Sequence, residues 1–548
     1  MSDLKEYIVL LKDSSDLDDF YDDMETPGGN LYIPDRVVDV ANRRPMSRST
    51  HYMLTDQEAN DVANDPRVLS VTEPYYNQGG EVVGLATQSS NNWSKTGTNG
   101  INDQNWFLLR GYERTTRSNW GTDGVTTQTG VISLTNTGRN VDVVIIDGHM
   151  QANHPEFAVN PDGTGGSRIN QFNWFQYNQQ VRGISSGTYV YDFIGTSGDI
   201  NHGHNVGAIA VGNTNGWARD ANIYNYWPYS GSANSYSGYL YDMINYIRVW
   251  HANKPINPLI GRKNPTILNM SIGISRTVDL TTVSTIYYQG QAYNKPGGGW
   301  TNTDRANFGL VAGTLPNVTV YIRDDSLDAD LLDAYNDGII IVGAAGNNYM
   351  YHDVPSGVNY DNRMIAPGLT TYFMRGSSPG AATGVICVSA IDATVAERKV
   401  DFSVAGPRTD VFAAGTNIMG AYYTGGVADP RNGSFQKGKQ SGTSQASPQV
   451  CGILACALEA YPNLRPAEAL TYIKTYANQD ILTGGGSFST TYGAADYLSY
   501  NRLYNGPNQY AMYKKERLED NHVFPKKDFK FRPTSGAVYP RSKIRRSG

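Results

Sequence analysis

The chain is poor in three things. It has only three cysteines in 548 residues, Cys387, Cys451 and Cys456, all in apolar or small-residue surroundings. They are too few for a disulfide framework and lack the spacing of a zinc site, so they read as buried small residues in a reducing environment. It has no stretch near the ~20 consecutive apolar residues that cross a bilayer. The start Met1-Ser2-Asp3-Leu4-Lys5-Glu6 also lacks the basic and then apolar pattern of a secretory signal. The expectation is no membrane partner and a location inside the cell. Finally, it lacks a positive balance: 45 Lys and Arg against 51 Asp and Glu give a formal net charge of −6, which argues against nucleic acid as a specific partner.

What is present is unevenly distributed. Residues 1–80 hold 7 basic and 16 acidic side chains, a net of −9. Residues 501–548 hold 12 basic and 4 acidic, a net of +8, with little apolar periodicity. The middle, rich in Gly, Asn, Ser and Tyr, alternates short apolar runs with helical periods, the pattern of an α/β sheet. We read 1–78 as a small α+β domain, 79–102 as a linker, 103–500 as the main domain and 501–548 as a basic, extended tail. Within the first piece, residues 7–11, 51–54 and 68–71 read as strands and 15–24 as a helix. Thr55-Asp56-Gln57-Glu58 is a capping box that starts a second helix, running to about Asn64.

Three segments of the middle carry chemistry. Val141 through Ile146 is an apolar strand that delivers Asp147 to the carboxyl edge of a sheet. Asn201-His202-Gly203-His204-Asn205 puts a histidine before a small-residue helix, and Ser441-Gly442-Thr443-Ser444 puts a serine at the start of another. A serine hydroxyl becomes a nucleophile when an imidazole takes its proton, and the imidazole works best when a carboxylate fixes its tautomer. Singly each segment is weak; the conjunction points to acyl transfer.

Gly442-Thr443-Ser444-Gln445-Ala446-Ser447-Pro448-Gln449-Val450-Cys451-Gly452 resembles the G-T-S-M-A-S-P-H-V-A-G nucleophile segment of the subtilisin-like serine peptidases (subtilases), matching at eight of eleven positions. The order Asp147, His202, Ser444 is also that family's order. Asn269-Met270-Ser271-Ile272-Gly273 resembles its N-M-S-L-G strand, and Ala344-Ala345-Gly346-Asn347 its oxyanion-hole segment. The resemblance covers about residues 103–500. It implies a mostly parallel subtilisin-like sheet with helices on both faces. It implies an endopeptidase with catalytic Asp147, His202, Ser444 and Asn347, and substrate backbone bound by Ser271, Ile272 and Gly273. Residues 1–78 resemble the family's inhibitor-type propeptide, so the chain's own propeptide is an expected partner besides a polypeptide substrate, with residues 72–77 lying in the cleft. Two departures stand out: Asp147-Gly148-His149 replaces D-[ST]-G, and His202-Gly203-His204-Asn205 replaces H-G-T-H. The long interval from His202 to Ser444 implies insertions such as 277–316 at the sheet rim.

Other readings compete. His149, His154, His202 and His204 near Asp147 suggest a zinc hydrolase, but that leaves the Ser444 segment unexplained, and no metal ligands are assigned. Calcium is frequent in the family, yet the sequence offers no ligand set; residues 324–337 read as a solvated helix face, and no cofactor is expected to be required. A subtilase-fold structural component of a virion, with weak or no peptidase activity, is the alternative function. The tail would then attach the protein to a viral particle or another acidic assembly, and the gene would be phage-encoded.

Overall fold

The computed structural model describes residues 4–33, 38–43, 47–84, 88–90, 106–112, 134, 136–182, 200–226, 239–393, 398–479 and 509–510. Its centre is a nine-stranded sheet. Across it run Asn478–Gln479, Gln509–Tyr510, Val411–Ala414, Val385–Ile391, Ile340–Ala344, Thr266–Met270, Asp142–Ile146, Asn222–Tyr226 and Ile169–Asn170. Every neighbouring pair is parallel except Asn478–Gln479 with Gln509–Tyr510 at one edge. Alternation along Asp142–Ile146 explains why it reads as an unbroken apolar run: Val143 and Ile145 enter one core, Val144 and Ile146 the other. The first core is covered by the helices His202–Val211 and Thr443–Ala460, the second by Tyr239–Asn253 and Asp325–Asn336. This is the expected α/β sheet with helices on both faces.

Asp142–Ile146 lies between Asn222–Tyr226 and Thr266–Met270. The chain leaves it toward one edge and returns to build the other half, so the order reverses beside the carboxyl end of this strand. Open α/β sheets form their clefts at such a point, and Asp147 follows directly.

The N-terminal domain is a four-stranded antiparallel sheet, ordered Val40–Arg43, Ser49–Leu54, Lys5–Leu11, Val68–Thr72, with helices Leu17–Glu25 and Asp56–Ala63. The capping box forms as expected, Thr55 Oγ1 accepting from Glu58 N while Glu58 accepts from Thr55 N. The strand Val40–Arg43 has no apolar alternation and was not anticipated. This domain docks on the helix Asp325–Asn336: Ser47 Oγ donates to Asp330 Oδ1 at 2.6 Å and Arg48 Nε to Asp333 Oδ2 at 3.4 Å. Tyr75 and His51 pack on Tyr241, whose hydroxyl donates to Asp324 at 2.6 Å. The acidic helix read as a solvated face is therefore a docking face, and Asp324 and Asp330 are buried.

The insertion at 277–316 is more ordered than a loop. Thr285–Tyr288 and Gln291–Asn294 form a small antiparallel sheet with Arg363–Ala366 and Leu369–Tyr372. All three cysteines are buried and unpaired. Apart from Gln509–Tyr510, the tail lies outside the described residues. Among the described residues no helix is long and apolar enough to cross a membrane.

A buried ion network fixes the strand Asn432–Ser441 that leads into the Ser444 helix. Glu156, fully buried, accepts from Arg431 at 2.6 Å, Lys437 at 3.1 Å and Thr214 N at 2.9 Å. Its two cations hold its carboxyl well below the usual range despite burial. Breaking one partner of such a network strands charge in low dielectric. Glu156→Gln should therefore cost about 3 kcal/mol of stability, read by denaturant unfolding.

Candidate active site

Three helix and strand ends converge on the carboxyl edge of the sheet. Asp147 follows the strand Asp142–Ile146, His202 opens the helix His202–Val211, and Ser444 lies in the first turn of Thr443–Ala460. All are buried, with exposures of 2%, 5% and 0%, where polar contacts are strong because water does not compete. His202 Nδ1 donates to Asp147 Oδ1 at 2.6 Å, and Gly148 N donates to the same oxygen at 2.6 Å. Asp147 Oδ2 is buried with no hydrogen-bond partner among the described residues. Nδ1 being the donor leaves Nε2 as the basic nitrogen of a neutral ring.

The Asp147–His202 approach depends on backbone contact. A Cβ on Gly203 would sit 2.2 Å from Gly148 O, so only glycine lets the two segments meet. Asn225 Nδ2, on the adjacent strand, donates to Gly148 O at 3.2 Å and Ile145 O at 3.3 Å, pinning the turn. The two helices are tied by Gln445 Nε2 donating to Asn205 Oδ1 at 3.1 Å.

Pro448 explains the setting of the serine. Proline has no N–H, so the helix cannot satisfy the carbonyl four residues earlier, which is that of Ser444. Ser271 Oγ donates to Ser444 O instead, at 3.0 Å, and Ser444 Oγ donates back to Ser271 O at 3.0 Å. Asn269 carries the link onward, donating to Ser271 Oγ at 3.0 Å and accepting from Ser447 Oγ at 2.7 Å.

Asn347 comes to the same place. Its Oδ1 accepts from Thr443 N at 2.9 Å and Thr443 Oγ1 at 3.0 Å, which fixes the orientation of the side-chain amide. Tyr321 Oη accepts from Asn347 N at 3.0 Å. Gly346 has φ +115°, and a Cβ there would enter the Tyr321 ring at 2.4 Å, so the tight turn before Asn347 requires glycine. Ile272 and Gly273 open the strand Ile272–Asp279, which pairs antiparallel with Gly80–Gly84: Ile272 faces Gly84 and Gly273 faces Val83. A second short strand, Gln88–Ser90, pairs with Lys439–Ser441 just before the Ser444 helix. The expectation that 72–77 fills the cleft is corrected, because Tyr75 is buried against Tyr241 and the sheet pairing falls on Gly80–Gly84.

The remaining histidines do not gather as ligands. His204 Nδ1 donates to Ile200 O at 3.2 Å and its Nε2 accepts from Gln151 N at 3.1 Å; His154 is likewise held between Gln436 O and Glu156 N. Among the described residues no group of three or more His, Cys, Asp or Glu is arranged to hold a metal. Tyr321, Asn205, Gln445 and Asn225 were missed in the sequence. Only the position of Gln445 and Asn205 inside the two motifs could have signalled them.

The subtilase family model matches residues 138–495, and the chain belongs to that family. An extracellular serine proteinase of a Thermus species (strain Rt41A) is 30% identical over 164 residues, 30% of this chain and 32% of that protein. A thermostable alkaline protease of Halalkalibacterium halodurans is 31% identical over 156 residues, 28% and 34% of the two. The aligned stretches thus span about a third of the length of these relatives. Among solved structures, a cold-adapted subtilisin-like serine proteinase matches 75% of this chain and 98% of its own, at 19% identity and TM-score 0.42. The epidermin leader peptide processing protease of Staphylococcus aureus matches 89% and 95%, at 16% identity and TM-score 0.47.

Two predictions test the site's construction. Gly203→Ala should lower stability by about 1–3 kcal/mol through overpacking, measured by thermal unfolding. Burial also lowers the pKa of His204 well below its usual value, of His154 and His251 to about 4 and of His352 to about 3. The unfolded chain binds these protons near pH 6.5, so their contribution is complete above that and lost as pH falls. Asp324, raised to about 6 by burial, works oppositely, as do Asp328, Asp333 and Asp401, also raised by burial, whereas the carboxyls of Glu156 and Asp410, held low by their cations, act with the histidines. The unfolding midpoint should therefore fall steadily between about pH 6.5 and 4; a flat profile would contradict it.

Proposed function

We propose that this chain is a serine endopeptidase held inactive by its own N-terminal domain. The carrying observation is the short Asp147–His202 bond beside a serine whose helix start is locked to the strand Ile272–Asp279. Substrate backbone adds as a strand to that edge, as Gly80–Gly84 does. Ser444 Oγ turns from Ser271 O toward His202 Nε2, gives it the proton and attacks the scissile carbonyl. Asp147 stabilises the imidazolium through Nδ1. The oxyanion is met by Ser444 N–H at the positive end of its helix and by the Asn347 Nδ2 amide, whose orientation Thr443 sets. His202 then protonates the leaving amine, and water, activated the same way, releases the acyl group. Each step uses side chains and backbone only.

The inhibited state is supported by the two segments Gly80–Gly84 and Gln88–Ser90, which pair with the strand that begins at Ile272 and with the strand that runs into the Ser444 helix. Processing would break the chain after Gly84 and before Gln88. Intact mass of the full chain beside Ser444→Ala tests this: the expected result is a new N-terminus within residues 85–88 in the former and an uncut chain in the latter. A fluorophosphonate probe should label the processed chain and not Ser444→Ala. Asn347→Ala should retain KM and lose about 10²–10³ in kcat, the size known for the corresponding donor in subtilisin. Undiminished turnover would remove Asn347 from the reaction.

A further inference from the structure

Arg276 lies on the same strand that carries Ile272 and Gly273, four residues further from the nucleophile, and directly faces Gly80 of the bound segment. Its side chain is 6% exposed. Its polar contacts are neutral: NH1 donates to Thr371 Oγ1 at 3.3 Å and NH2 to Gln78 Oε1 at 3.2 Å. Among the described residues its Nε is buried with no hydrogen-bond partner, and no carboxylate pairs with the guanidinium. A guanidinium stays charged at every working pH, and desolvation of the cation without a counter-ion is costly. Burial is what acts on its ionisation, which it pushes downward. The half-buried arginines Arg431 and Arg408 are by contrast matched to Glu156, Asp429 and Asp410, and the buried Arg305 has its donors covered by the backbone carbonyls of Leu310, Val311, Ala312 and Gly313.

Register shows what would complete the site. Residues directly opposite in an antiparallel pair put their side chains on the same face, and opposite Arg276 the bound segment has a glycine, which brings none. Gln78, arriving from the preceding turn, fills that space with an amide oxygen. Thr371, from the strand Leu369–Tyr372, supplies the other wall.

We infer that Arg276 and Thr371 form a subsite for an acidic side chain, so that the cleft selects polypeptides carrying Asp or Glu at the position Gly80 occupies, four residues before the one facing Ile272. This rests on the peptidase reading for its meaning, but the anion site can be measured without catalysis. In the chain's own segment the neutral Gln78 stands in for the carboxylate.

The test has two arms. In full-length Ser444→Ala protein, a double-mutant cycle compares Gln78→Glu with and without Arg276→Gln by denaturant unfolding. Loss of the Gln78 Nε2 bond to Glu73 O is common to both backgrounds, so the difference reads the charge pair. The expected result is that Gln78→Glu is more favourable with Arg276 than with Arg276→Gln, and that the advantage shrinks at high salt. Equal effects in both backgrounds would overturn the subsite. If Arg276→Gln does not fold, a salt-independent effect of Gln78→Glu on the intact arginine would overturn it instead. In the active protein, quenched peptides of residues 76–92 carrying Gly80→Glu or Gly80→Gln are compared. The Glu peptide should have roughly tenfold or higher kcat/KM, and Arg276→Gln should abolish that preference. No cleavage of either peptide alongside a positive cycle would sink the peptidase reading and keep the anion site; equal cleavage would sink the subsite.

Discussion

The contact between Gly148 O and Gly203 is the constraint on which the rest of the site depends. The sheet delivers Asp147 on one element and the helix delivers His202 on another, and a hydrogen bond of 2.6 Å between their side chains requires the two backbones to touch. Any side chain at position 203 separates them. Asn225 closes the construction from the next strand, spending its amide on Gly148 O and Ile145 O. The geometry of the pair is thus set by backbone packing, which is stiff, and not by rotamers, which are not.

Pro448 makes the second half of the site follow from the first. By withholding one helical hydrogen bond it leaves the Ser444 carbonyl to Ser271, and Ser271 is the residue before the strand on which Gly80–Gly84 lies. Ser444 and the edge strand are thereby one hydrogen-bonded unit, extended through Asn269 to Ser447. A displacement of the edge strand moves the serine with it, so in the proposed reaction alignment of a bound backbone and alignment of the Ser444 hydroxyl would be the same event. Proximity of this kind contributes to rate only when the reacting atoms are held together within tenths of an ångström.

How legible this was depends on the range of the interaction. Asp147, His202, Ser444, Ser271 and Asn347 each sit in a compact motif whose neighbours are small or turn-forming, so local sequence carries them. The capping box at Thr55 was legible for the same reason. Tyr321 was not, because its role is one hydroxyl under Asn347 N from a strand with no motif. The helix Asp325–Asn336 misled: acidic residues at helical spacing ordinarily face water, and only the docked Ser47, Arg48 and Tyr241 reveal why Asp324 and Asp330 are buried. The Gly- and Ser-rich stretch after residue 78 has a linker's composition, yet pairing with an edge strand needs only backbone groups, which composition does not report.

Inhibition by a covalently attached strand follows a different arithmetic from inhibition by a free one. Tethered through the docked N-terminal domain, Gly80–Gly84 meets its edge at an effective concentration of order millimolar, so even imperfect side-chain contacts keep the cleft filled. Were the chain cut as proposed, that advantage would fall to what the docking face on Asp325–Asn336 provides, and the segment would have to compete on its own contacts. A glycine opposite Arg276, with Gln78 reaching in from a turn, is a weak set of contacts for a buried cation. On the proposed autoinhibited reading, the covalent link permits the occupant to be a poor ligand, and a poor ligand is what a cleft that later accepts other chains would require.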